Sequence, residues 1–114
     1  MRKHSFSLAM ILIALTACSK NSNTIITTDC SGTSKSFATD VSPLLQTSCN
    51  VNAGCHGSGS TRGPGELITY NQVFNARTLI RSSVANGSMP QNSTLTTAQK
   101  NTILCWIDNG ASNN

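Results

Sequence analysis

The sequence predicts an all-α domain of three to four short helices, and three observations carry that expectation. Two stretches, Thr69-Tyr70-Asn71-Gln72 and Thr96-Thr97-Ala98-Gln99, have the form of capping boxes, in which a Thr hydroxyl and a Gln side chain satisfy free backbone N–H groups at a helix start. Apolar residues near each recur at helical spacing. No stretch alternates apolar and polar residues with period 2, so strands are not expected.

The first helix is expected around Val41, Leu44, Leu45 and Ser48, which fall at i, i+3, i+4 and i+7. Asp40 is its expected N-cap, and Pro43 is tolerable in the first turn, where its missing N–H costs nothing. This helix delivers Cys49 at its end. The second puts Val73, Ala76, Ile80 and Val84 on one face and stops near Gly87. The third carries Ile103, Trp106 and Ile107 as an apolar stripe and has Gly110 as its C′ residue. A domain this small, with Phe37, Tyr70, Phe74 and Trp106 as its aromatics, usually needs a disulfide, metal or cofactor as a staple.

Residues 1–17 have the pattern of an export signal: Arg2-Lys3-His4, an apolar run from Leu8 to Leu15, then small residues. The run is too short to span a membrane. Leu15-Thr16-Ala17-Cys18 resembles the lipobox of bacterial lipoproteins, which implies cleavage before Cys18 and acylation of its thiol. Ser19 rather than Asp follows, which points to the outer membrane. Residues 18–36, rich in Ser, Thr and Asn, then read as a lipid anchor and polar tether, and 37–114 as the folded domain.

Of 8 basic residues Arg2 and Lys3 leave with the signal, so 6 face 4 acidic ones and the mature charge is about +2. That is too weak and too scattered for nucleic acid. One histidine, His56, and one methionine, Met89, remain in the mature chain. With no second histidine as acid or base, and with Asp29, Asp40, Glu66 and Asp108 showing no paired spacing, an enzyme is not expected.

The chemistry concentrates in TSCNVNAGCHGSGS, residues 47–60. Cys55-His56 ends as a c-type haem attachment site does, but the upstream thiol is Cys49, giving C-x-x-x-x-x-C-H in place of C-x-x-C-H. Three readings are open. In the first, Cys49 and Cys55 form thioethers to haem, His56 is the proximal iron ligand, and Met89, on the loop Gly87-Ser88-Met89-Pro90, is the sixth ligand. In the second, exported cysteines pair: Cys49 with Cys55, worth about 2.4 kcal/mol by loop entropy, and Cys30 with Cys105, worth about 4.5 kcal/mol. The chain is then a haem-free, disulfide-stapled binding or structural module. In the third, Cys49, Cys55, His56 and Cys105 hold zinc, although an adjacent Cys-His pair is awkward for one tetrahedral ion.

Taken in order, FATDVSPLLQTSC, GCHG, GPGELITYNQV, SMP and LTTAQKNTILCWIDNGA resemble a small class I cytochrome c domain over about residues 37–113. The five-residue gap between Cys49 and Cys55 departs from the usual spacing, as it does in family members with widened gaps. The resemblance implies terminal helices packed together around a covalently bound haem c, with Cys49 and Cys55 as attachment thiols and His56 and Met89 as iron ligands. It also implies electron exchange with redox partner proteins. If haem takes Cys49 and Cys55 and lipid takes Cys18, then Cys30 and Cys105 are expected to pair in an oxidising compartment.

Overall fold

The computed structural model describes residues 28–32 and 34–114, so the signal, Cys18 and most of the tether lie outside the described residues. Within them the chain is all-α. A π-helical turn, Phe37–Val41, runs straight into α1, Ser42–Ser48; α2 spans Tyr70–Asn86 and α3 Thr97–Asp108, with no strand among the described residues. No helix among them is long and apolar enough to cross a membrane.

The start of the first helical segment differs from the sequence expectation. Ser36, not Asp40, is the N-cap: its hydroxyl accepts the Thr39 N–H at 3.3 Å. The Asp40 carboxylate instead reaches back to accept the Ser36 N–H at 2.8 Å. In this wide turn the Val41 N–H donates to the Ser36 carbonyl, and the Ser42 N–H to that of Phe37. A residue four beyond the cap therefore supplies the reciprocal bond that position N3 supplies in an ordinary capping box. The earlier start draws Phe37 into the core.

Both capping boxes form. Thr69 and Gln72 cap α2, and Thr96 and Gln99 cap α3, each Thr accepting the N3 N–H and each Gln oxygen accepting the N-cap N–H at 2.9 Å. Gly87, at φ 77°, closes α2 in the left-handed region that only glycine enters without strain. Val73, Ala76, Ile80 and Val84 are the buried face of α2. On α3 burial is broader than the expected stripe: Ile103, Leu104, Cys105 and Trp106 are all buried, and Ile107 is half-buried.

The four aromatics form one cluster that joins the π turn to α2 and α3. The Phe37 ring lies 5.2 Å from Tyr70 and 5.5 Å from Trp106, and Tyr70 lies 5.5 Å from Phe74. The polar ends are satisfied by the chain's last turn. Tyr70 donates to the Ala111 carbonyl and Trp106 Nε1 to that of Ser112, both at 2.9 Å. Asn114 then bonds Ser36, Phe37 and Ala38, so the first turn is fixed beside α3. A disulfide joins Cys30 to Cys105, fastening the end of the tether to α3 across 75 residues of sequence.

Candidate functional site

The loop after α1 is built by backbone bonds that fold the widened gap back on itself. Leu45 accepts the N–H groups of both Cys49 and Asn50, which ends the helix at Cys49. Asn52 then makes a tight turn: its Oδ1 accepts the Gly54 N–H at 2.8 Å, and its carbonyl accepts those of Cys55 and Gly57 at 3.1 and 2.9 Å. The turn brings the chain home. The His56 N–H donates to the Cys49 carbonyl at 3.0 Å, so the five intervening residues are looped out and Cys49 lies beside the Cys55-His56 pair.

Gly57 makes this approach feasible. A Cβ there would sit 2.7 Å from the Asn50 carbonyl oxygen and 2.8 Å from the backbone of Asn52, closer than real contacts allow. Because the obstacles are backbone, the loop itself must move. We expect Gly57→Ala to destabilise the domain by about 1–3 kcal/mol. It should also separate Cys49 from Cys55, read as loss of a short bifunctional thiol crosslink between them.

His56 is 7 % exposed. Its Nδ1 lies 2.9 Å from the Gly65 carbonyl, and since a carbonyl only accepts, the neutral ring carries its proton on Nδ1 and its lone pair on Nε2. Nε2 makes no hydrogen bond to a described residue and is not sealed from solvent. A neutral imidazole fixed in this tautomer presents an unused donor to a metal. The Leu67 N–H also donates to the His56 carbonyl, at 2.8 Å, which sets the ring in place from the backbone side.

Two adjoining cavities converge on this ring, and Cys49, His56 and Met89 line both. One, about 160 Å³, is apolar, with Leu45, Leu67, Ile80 and Val84 among its walls. The other, about 370 Å³, is more polar; Cys55, Asn52, Arg62 and the segment 90–93 border it. Leu79 and Val51, 60 % and 55 % exposed, stand at the two openings as large apolar side chains without cover. Met89 is held on its loop by its N–H, which donates to the Ser83 carbonyl at 3.2 Å.

Cys49 and Cys55 are both thiols and are not joined to each other. Burial pushes the Cys49 thiol up to about 11, and the neighbouring Cys55 adds to the shift. The thiolate is the nucleophile, so alkylation of Cys49 in the haem-free protein should keep accelerating as pH rises toward 11. A rate that levels off below pH 9 would contradict this environment. The sign for stability follows from linkage. A thiol raised in the folded state holds its proton where the unfolded chain has lost it, so the haem-free domain should weaken between about pH 9 and 11.

The structure thus gathers four of the residues singled out in the sequence, Cys49, Cys55, His56 and Met89, around one cleft. Cys105 is not among them. Its bridge to Cys30 removes it from the zinc set, and no three His, Cys, Asp or Glu side chains among the described residues converge as a metal site would need. Sequence reasoning did not single out the carbonyl of Gly65, the wall residue Leu67 or the openings at Val51 and Leu79. The first had a signal in Gly63-Pro64-Gly65-Glu66, a turn-forming stretch in the loop that follows the histidine. Comparison of the chain with protein-family models, curated proteins and solved structures gives no match.

Proposed function

We propose that this chain is an exported, lipid-anchored electron-transfer protein whose domain holds haem c through Cys49 and Cys55, with His56 and Met89 as iron ligands. The observation that carries the reading is that an imidazole with its lone pair free and the mature chain's sole thioether line the same pair of cavities, which two unjoined thiols also border. The residues suit the group: a nitrogen and a soft sulfur donor, apolar walls for a macrocycle, and nucleophilic thiols at its edge. When bound, haem c supplies a one-electron iron centre. The chain's residues hold the ligands in place, exclude water through Leu45, Leu67, Ile80 and Val84, and leave an edge at Val51 and Leu79 for a redox partner. Ligation by both His56 and Met89 leaves no open position for substrate, so the reading is a carrier, or a subunit of a redox complex, and not an enzyme. Such contacts with partners are small and transient.

The deciding test is a redox-difference absorption spectrum of the mature protein made with haem-attachment machinery present. It should be run beside Cys49→Ala, Asn52→Cys and the double variant, with haem staining of denatured gels. Asn52→Cys creates C-x-x-C-H and should load haem at least as well as wild type, and it should make Cys49→Ala tolerable. Colourless protein in all four removes the cytochrome reading and leaves the disulfide-stapled module.

For the anchor, Cys18→Ala should abolish acylation, so that the protein is found either released from membranes or as a larger precursor that keeps its signal. Each buried methylene contributes about 0.8 kcal/mol, so loss of several acyl chains cannot be offset by weak contacts. A variant that fractionates with the membrane at wild-type size would rule out acylation of Cys18.

A further inference from the structure

We infer that Glu66, acting through Gln72, is a positioning residue that holds the Gly65 carbonyl against His56 Nδ1. The loop from Gly57 to Gly65 carries four glycines and has little side-chain packing of its own: Gly59 and Gly65 sit at φ 82° and 99°, and Ser58 to Pro64 are exposed apart from Ser60. Yet the acceptor that fixes the histidine tautomer stands at its far end. Something must hold that end.

Glu66, the next residue, is placed to do so with both carboxylate oxygens. Oε1 accepts the Gly59 N–H at 2.6 Å, which pins the outgoing side of the loop, three residues after His56. Oε2 accepts from Gln72 Nε2 at 2.9 Å. Gln72 is itself immobilised, because its Oε1 accepts the Ile68 and Thr69 N–H groups, both at 2.9 Å, in the capping box of α2. One carboxylate therefore links both sides of the loop to the first turn of a 17-residue helix. A carbonyl held this way keeps a directed bond to Nδ1–H, which raises the electron density the imidazole offers through Nε2.

The inference rests on the haem-ligand reading of His56 only for its effect on potential; the bond to Nδ1 can be followed in the haem-free chain. The donor and acceptor pattern gives a specific test. E66Q leaves an acceptor for Gly59 but sets an amide N–H against the Gln72 amide N–H, and Q72E sets two carboxylates together. The double change E66Q/Q72E restores a matched pair, since the carboxylate it puts on α2 would accept from the amide it puts on the loop and still cap the helix.

In ¹⁵N-labelled protein well below its melting temperature, each single variant should speed exchange of the His56 Nδ1 proton by about tenfold. The double variant should restore it. In haem-loaded protein the single variants should raise the reduction potential, because a weaker bond at Nδ1 makes a poorer donor to oxidised iron, and the double variant should return it. Unchanged Nδ1 exchange with a lowered melting temperature would mean that Glu66 only braces the loop, and would overturn the inference. A colourless wild type would remove the functional reading while leaving the exchange test intact. If E66Q alone does not fold, the folded double variant decides: wild-type exchange supports the relay, and fast exchange overturns it.

Discussion

His56→Ala is expected to give a protein that retains no stably bound haem, whereas Met89→Ala should keep the cofactor and open the sixth coordination position. The asymmetry follows from placement. His56 is buried beside Cys55, with its tautomer set by Gly65, so its loss would remove the proposed ligand on the attachment side together with a fixed backbone contact. Met89 lies on a loop between α2 and α3 and, in the proposed function, serves only as an iron ligand. On the proposed ligation, its removal should leave the thioethers in place, admit small ligands such as carbon monoxide, and lower the potential on the order of 0.1 V or more, since axial ligands tune haem over a range on the order of 0.8 V. Haem-stained denatured gels, carbon monoxide difference spectra and potentiometry distinguish the two variants. A Met89→Ala protein with wild-type spectrum and potential would exclude the ligand role.

Cys30→Ser should cause the largest loss of stability among single changes outside the cleft. The bridge to Cys105 closes a loop of 75 residues, most of the folded domain, and constraining an unfolded loop of that size is worth about 4.5 kcal/mol in the chain-entropy account. Small domains hold only about 5–15 kcal/mol in all. With about 4–8 °C of melting temperature per kcal/mol for a domain of this size, the melting temperature should fall by about 20 °C or more. Cys30 is the better position to change, because Cys105 is buried in α3 and a serine there would add an unpaired hydroxyl to the core. Circular dichroism melts, with non-reducing peptide maps to verify the bridge in wild type, test this. A Cys30→Ser melt within about 2 °C of wild type would show that packing alone holds the domain.

Helices α2 and α3 could be read from sequence because their boundaries are local. A threonine hydroxyl and a glutamine three residues on meet whatever the rest of the chain does, and the faces of Val73, Ala76, Ile80 and Val84 follow from helical period. The first helical segment was harder, since its start turns on a single wide turn: Asp40 looks like a cap in sequence but serves as the reciprocal partner of Ser36. The cleft divides in the same way. Cys49, Cys55, His56 and Met89 announce themselves by residue type, but the return of Cys49 to His56, the need for glycine at 57 and the clamp at Glu66 are contacts between chain segments. No spacing rule contains them. The breadth of burial on α3 is likewise tertiary, because Leu104 and Cys105 are covered by elements that lie far away in sequence.

The covalent link from Cys30 to α3 also decides how the molecule bears mechanical load. Traction arriving along the segment before Cys30 passes through a sulfur–sulfur bond into the third turn of a 12-residue helix, and not into Ser36 and the π turn. The hydrogen bonds that cap that turn, and the loop from Cys49 to His56 beyond it, are left out of the line of force. If the chain is anchored through Cys18 as proposed, movement at a membrane surface would leave the geometry around its cleft out of the strained path.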